Sequence, residues 1–291
     1  MNIPPVDWTD YRVIDAGNGE KLEQVGPYRI RRPDSNAQQW LPSLPKQWSN
    51  PDATYHAEGK GGHWLTRHGL PDTWIVNQGT LRFEVALTPH KHIGIFPEQA
   101  TNWAWIRERI ASRSAEVRVL NLFAYTGGAT LAAASAGASV VHVDASKAMV
   151  QWAKRNAALN GLAEAPIRYL VDDVVAFVKR EIRRGHTYHA IILDPPAYGR
   201  GPDGQLWKFD TMVRELMELC RVLLDPDPLF VLVNTYAANF DESDLEALMF
   251  DTLGSLNGDV QCGELTLPVD LQEHPLPCGL TARTRFNEHP V

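Results

Sequence analysis

Cysteine is scarce in this chain. The three present, Cys220, Cys262 and Cys278, are too few and too scattered for a disulfide framework, and none sits in a CxxC pair that would hold zinc. Long apolar runs are missing as well: VLNLFAY and LFVLV fall well short of the roughly 20 residues that span a bilayer. The N-terminus MNIPPVDWTD lacks the basic and apolar regions of a secretory signal. These absences point away from a membrane and toward a cytoplasmic, reducing setting. Positive charge is not in excess either. A formal charge of −7 argues against wholesale nonspecific nucleic-acid binding while leaving room for a local basic face.

Local cations do occur. Arg29, Arg31 and Arg32 fall together, Lys60, His63, Arg67 and His68 share a glycine-broken segment, and His90, Lys91 and His92 are consecutive. They permit an RNA partner, or are ordinary surface. His90 and His92 have HxH spacing, but no third ligand is evident, so no metal is expected.

The chain has two rhythms. Residues 1–98 read as short extended segments, with Leu81–Leu87 alternating apolar and polar residues at the strand period. This predicts a small β-rich N-terminal domain. Trp40, Trp48, Trp64 and Trp74 are concentrated there, as core or as surfaces on which bases could stack. From residue 99 to 291, buried strands alternate with helices: VRVLNLFAY, SVVHVD, PIRYLVD, HAIILD and LFVLVN are the strands, with helices between them. One of those helices is read as LWKFDTMVRELMELCRVLL, and CGELTLP and PCGLTARTRF are two last extended segments. The pattern predicts an α/β fold with a doubly wound, Rossmann-like sheet.

In such sheets ligands sit at the carboxyl ends of the strands. Those ends carry Tyr125-Thr126-Gly127-Gly128, Asp144, Asp172-Asp173 and Asp194. Glycines after the first strand let backbone approach a ligand, and an acid ending the second can accept both hydroxyls of a ribose. A dehydrogenase would share that acid, but GxGxxG is absent, so nothing provides tight pyrophosphate docking. S-adenosylmethionine has ribose and adenine without pyrophosphate and fits better. Asp172 and Asp173 would serve the adenine amine or cap the following helix.

The stretch IILDPPAYGRG ends the fourth strand. Methyl transfer from a sulfonium is an in-line displacement that mainly requires a held nucleophile. The residue before a proline is pushed toward extended backbone, and Pro195 and Pro196 stiffen the turn. Asp194 is thereby aimed at the sheet edge to accept hydrogens from a base, with nearby carbonyls beside it and Tyr198 placed to stack.

At this point the sequence resembles a family: the class I S-adenosylmethionine-dependent methyltransferases related to the bacterial large-subunit ribosomal RNA enzymes, including 5-methylcytosine and 7-methylguanosine types. NLFAYTGGATLAAASAGASVVHVDASKAMVQWAKRNAALNGL, IILDPPAYGRG and HIGIFPEQ carry the resemblance, covering most of residues 90 to 235. HIGIFPEQ looks like the family's KTGFFLDQR-type segment, which approaches the cofactor. The resemblance implies cofactor contacts at Phe96, Gln99, Asn121, Ala124, Tyr125, Thr126, Gly127, Gly128, Asp144, Ala145, Ser146, Asp172 and Asp173. It implies acceptor chemistry at Asp194, Pro195, Pro196 and Tyr198, and an RNA partner, ribosomal RNA in particular.

There are departures. His92 and Ala100 stand where the family has Lys and Arg. The 5-methylcytosine members place a nucleophilic Cys after the fifth strand, where this chain reads LVNTYAANF. Covalent C5 chemistry is therefore disfavoured against methylation of a nitrogen or oxygen. RNA contact would fall to residues 1–98, to the GRGPDGQLWK loop with Arg200 and Lys208, or to both. A protein, DNA or small-molecule acceptor stays open, as does a noncatalytic RNA-binding role. The modified nucleotide and the oligomeric state are not fixed by these residues.

Overall fold

Residues 3–59 and 61–286 are described by a computed structural model; Lys60, named above among the clustered cations, lies outside them. They form two compact units, one of residues 4–101 with 265–278, the other of Ile3 with 102–264 and 279–286.

The first unit holds a five-stranded sheet of β1 (Tyr11–Gly17), β2 (Glu20–Val25), β3 (Tyr28–Pro33), β4 (Ala53–Glu58) and β5 (Gly61–Thr66), in that order. A separate hairpin is made by β6 (Trp74–Gln78) and β7 (Leu81–Val85). Asn18 and Gly19 join β1 to β2 with φ of 54° and 76°, the left-handed pair that matches strand twist in a tight hairpin. In β7 Leu81, Phe83 and Val85 are buried and Arg82 is exposed, as alternation predicts. Trp48 and Trp74 are core residues whose indole N–H groups donate to Asp15 Oδ2 at 2.9 Å and to the Val25 carbonyl at 3.0 Å, whereas Trp40 and Trp64 are half-buried.

Two sequence expectations change here. Residues 265–278 were read as part of a contiguous 99–291 domain, yet they belong to this unit: Asp270 and Leu271 N–H groups donate to the Val13 and Ile14 carbonyls. The Gln272 side chain reaches Asp15 Oδ1 at 3.0 Å. Arg32, read with Arg29 and Arg31 as a possible RNA-facing cation, is buried. It forms a two-pronged pair with the fully buried Glu23, at 2.5 and 2.9 Å, and Lys21 and the Tyr11 hydroxyl join it. A buried charge survives only when paired, so this cation serves the core. Burial also takes His92 down to about 4.

The second unit is built on α1 (Ala100–Ala111), β8 (Arg118–Leu122), α2 (Gly128–Ser135), β9 (Ser139–Asp144), α3 (Lys147–Leu159), β10 (Ile167–Val171) and α4 (Val174–Arg184). It continues with β11 (Ala190–Leu193), β12 (Tyr198–Arg200), β13 (Leu206–Lys208), α5 (Phe209–Val222), β14 (Phe230–Thr235) and α6 (Glu242–Leu253), followed by β15 (Gly258–Leu267) and β16 (Leu276–Phe286). The sheet order is β10-β9-β8-β11-β14-β16-β15, parallel from β10 to β14 and antiparallel between β14 and β16. Every residue of β11 and β14 is buried, which is why both read as unbroken apolar runs rather than alternating ones. Asp173 and Asp241 cap α4 and α6, and Gly185 closes α4 with φ of 68°.

The helix expected from Leu206 starts only at Phe209. Leu206–Lys208 is instead a strand paired with Tyr198–Arg200. The reason is Trp207, whose indole donates to the Pro196 carbonyl at 2.8 Å and whose ring lies 4.8 Å from that of Phe123. Anchored on both sides, Trp207 holds its segment extended.

Candidate active site

The strand order reverses between β8 and β11, the switch point at whose carboxyl ends sheets of this kind take their ligands. The loop after β8 is unusual in its backbone: Phe123, Tyr125 and Gly127 have φ of 56°, 48° and 92°. Two non-glycine residues in the left-handed region cost about 1–2 kcal/mol each, so neighbours must hold them. The neighbours are visible. Ala124 N–H donates to the Val143 carbonyl at 3.0 Å, Tyr125 N–H to Asp144 Oδ2 at 2.8 Å, and Asn156 Nδ2 to the Thr126 carbonyl at 3.0 Å.

Asp144 ends β9 and accepts a second backbone bond, from Ser146 N–H to Oδ1 at 2.8 Å. Burial nevertheless holds its carboxyl above the usual range. Each oxygen thus has one donor and a remaining lone pair. Ala145 is half-buried, and the Ser146 hydroxyl caps α3 through Met149 N–H.

The two glycines have separate explanations. Gly127 is left-handed, and a Cβ there would meet Ala153 Cβ at 3.0 Å. At Gly128 a Cβ would stand 2.4 Å from Trp103 Cζ2, so this glycine makes room for an indole on α1. Beneath the loop, Asn121 Nδ2 donates to Thr130 Oγ1, which meets His142 Nδ1, both at 2.9 Å. Asn121, expected among the cofactor contacts, is 1% exposed with its amide committed to this chain. Ala124 and Thr126 are likewise buried. His142 is fully buried and is pushed down to about 3 by burial.

At the end of β10, Asp173 is the helix cap, its Oδ1 accepting from Ala176 N–H at 2.8 Å, and Asp172 is ion-paired with Arg180. At the end of β11, Asp194 N–H donates to the Leu122 carbonyl at 3.3 Å, tying it to the β8 loop. Asp194 is half-buried, Pro195 is buried, and Pro196 and Tyr198 are exposed. Of the carbonyls that follow Asp194, that of Pro196 accepts from the Trp207 indole and that of Ala197 from Phe209 N–H at 3.0 Å. Asp144, Asp172, Asp173 and Asp194 therefore gather at one sheet edge. Phe96 and Gln99 belong to the first unit, where the Phe96 ring lies 5.2 Å from His92 and Gln99 is buried.

Sequence reading overlooked Trp103, Asn156 and Trp207. Asn156 had left a signal, a polar residue on the buried face of α3 with Val150, Ala153 and Ala157. Burial raises all three thiols, Cys262 to about 11 and Cys220 and Cys278 well above the ordinary thiol value. Among the described residues no group of three or more His, Cys, Asp or Glu side chains is placed to hold a metal.

Known proteins resemble this arrangement. The profile of a family described as S-adenosylmethionine-dependent methyltransferase matches residues 36–244. The crystal structure of a SAM-dependent methyltransferase from Agrobacterium tumefaciens is 36% identical, with a TM-score of 0.92 over 96% of this chain and 91% of that one. One from Streptococcus mutans shares the fold at 20% identity, with a TM-score of 0.73 over 95% of this chain and 75% of that one. The chain is also 36% identical over 157 residues to the ribosomal RNA large subunit methyltransferase K/L of Magnetococcus marinus, covering 53% of this chain and 20% of that protein. With its namesake from Shewanella frigidimarina it shares 30% over 203 residues, 69% of this chain and 27% of that protein. The match thus spans about a quarter of the length of these two relatives.

Proposed function

The chain belongs to the family of S-adenosylmethionine-dependent methyltransferases, and from that premise we propose that it methylates a nitrogen of a base in RNA, ribosomal RNA in particular. The observation that carries the reading is the pair of carboxylates flanking the switch point, Asp144 after β9 and Asp194 after β11. Each has a separate task.

Asp144 fits a ribose. Each of its oxygens accepts one backbone N–H and keeps a lone pair, and its surroundings strengthen any hydroxyl bond it accepts. Tyr125 through Gly128 line the methionine end, with Ala124, Ala145 and Ser146 beside the ribose. Asp172 or Asp173 takes the adenine amine. Each already commits one oxygen, Asp173 Oδ1 to its helix cap and Asp172 Oδ2 to Arg180, and keeps the other for that bond. Asn121 acts beneath the loop, through Thr130. Bound S-adenosylmethionine supplies a methyl group on a positively charged sulfur.

Asp194 then accepts hydrogens from the acceptor nitrogen, orients its lone pair and takes up the released proton. Pro195, buried, and Pro196 fix the turn that aims it. Attack by nitrogen needs no covalent activation. Methylation of C5 would need a thiolate, and burial keeps Cys220, Cys262 and Cys278 protonated at neutral pH, which supports the nitrogen reading.

The test is calorimetric titration with S-adenosylhomocysteine, followed by tritiated methyl transfer to ribosomal RNA, transfer RNA and protein fractions, with digestion of labelled RNA to nucleosides. The expected result is binding and a labelled N-methyl nucleoside from ribosomal RNA. Label at C5 of a pyrimidine, or only in protein, would overturn the proposal.

A further inference from the structure

We propose that the outer face of the β12–β13 hairpin is a docking platform for an unpaired RNA strand, with Tyr198 and Leu206 contacting bases and Arg200 and Lys208 contacting phosphates. The inference rests on the RNA reading above. It begins from the register: Tyr198 stands opposite Lys208, and Arg200 opposite Leu206. Side chains two apart on a strand share a face, and paired residues lie about 4.5–5.5 Å apart at Cβ. All four therefore form one plate. Each is exposed, Tyr198 at 56% and Leu206 at 44%, while Gly199 and Trp207 between them turn inward.

The plate's composition selects its partner. An aromatic ring and an aliphatic side chain placed diagonally between two cations suit a polymer that alternates flat apolar faces with negative charges, and unpaired RNA is such a polymer. Among the described residues no carboxylate pairs with Arg200 or Lys208; the Arg200 guanidinium has only the Gly204 carbonyl, at 3.4 Å. The hairpin's single acid, Asp203, sits in the turn and bonds with Gln205. On a chain of net charge −7 an unneutralised pair of cations is a local attractor for phosphate.

The plate is also held before any partner arrives. Trp207 N–H grips the Pro196 carbonyl, Gly201 N–H reaches the Gln205 carbonyl at 2.7 Å, and Phe209 N–H closes on Ala197. A Cβ on Gly199 would meet Pro196 Cγ at 3.2 Å, so the hairpin lies directly against the Asp-Pro-Pro turn. A strand lying on it delivers its next base toward Asp194. Little ordering cost remains to be met on binding.

The test uses the full chain and a fluorescein-labelled, mixed-sequence single-stranded RNA of about 12 nucleotides, long enough for a platform of this size. Affinity is measured by anisotropy across a salt series for the wild type, the Arg200→Gln/Lys208→Gln double variant, Tyr198→Ala and Tyr198→Phe. Two lost phosphate contacts should lower the slope of log K against log salt by about 1.4. Tyr198→Ala should weaken binding roughly 5- to 150-fold, with Tyr198→Phe close to the wild type. S-adenosylhomocysteine affinity, measured on every variant, should not change. If the wild type binds RNA and all variants match it in affinity and slope, the platform is refuted while the RNA reading stands. If the wild type binds S-adenosylhomocysteine but no RNA at low salt, the RNA reading falls and takes the platform with it. Methyl label found only in protein, and reduced by the same substitutions, would assign the plate to a protein partner and overturn it.

Discussion

Adding one methyl group at Gly128 separates two explanations of a glycine pair. A Cβ there would stand 2.4, 2.6 and 3.0 Å from Cζ2, Cε2 and Nε1 of the buried Trp103 indole. Ordinary carbon contacts need at least about 3.5 Å, so the ring or α2 must shift by roughly 1 Å. Overpacking of this kind costs about 1–3 kcal/mol, which for a chain of this size lowers Tm by roughly 2–10 °C. Gly128→Ala should therefore lose stability in urea and thermal unfolding, and Trp103→Phe, which removes the clashing part of the ring, should recover part of the loss. A double-mutant cycle should give a coupling of about 1 kcal/mol or more. Affinity for S-adenosylhomocysteine should fall far less than affinity in Asp144→Ala. If Gly128→Ala unfolds like the wild type while cofactor affinity drops more than about tenfold, the glycine serves ligand approach and the packing argument is refuted.

Asp144→Ala should weaken S-adenosylhomocysteine about 10- to 150-fold by calorimetry, the worth of charge-assisted bonds, whereas Asp194→Ala should abolish methyl transfer with cofactor affinity within a few-fold. Equal loss of binding in both would erase the division of labour. His142 is held near 3 by burial while an unfolded histidine titrates near 6.5. Its contribution is complete above pH 6.5 and is lost as pH falls below it, because only the unfolded chain takes the proton. The slope is about 1.4 kcal/mol per pH unit, and His142→Gln should remove it from urea titrations between pH 6.5 and 4. Cys262→Ala and Cys278→Ala should each keep full methyl transfer; loss of activity with unchanged cofactor binding in either would revive thiol chemistry.

The parallel core was legible because β11 and β14, buried on both faces, leave no alternation to misread. The carboxylates at the strand ends were legible for a related reason, since a polar residue closing an apolar run has few places to go. Contacts between residues far apart in sequence were not legible. Trp207 read as the start of a helix because its apolar spacing suits one, and only the Pro196 carbonyl, eleven residues away in the chain, explains its strand. Residues 265–278 carry no mark of their return to Val13 and Ile14, because backbone hydrogen bonds leave no signature in side chains. Arg32 read as surface because the carboxylate that neutralises it lies on a neighbouring strand.

The antiparallel partner of β14 has a bearing on dissection of the chain. From Phe230 opposite Arg285 to Thr235 opposite Leu280, the central apolar strand FVLVNT is zipped along its length to nearly the last described residues. A fragment trimmed to residues 102–264 would keep both carboxylates and every parallel strand, yet it would bare a row of unpaired N–H and C=O groups on a flat, uncharged strand. Such an edge recruits other copies of itself. The catalytic half is therefore not a severable module: its solubility is written in β16, and a deletion that spares Asp144, Asp194 and their loops should still fail on the bench as aggregate.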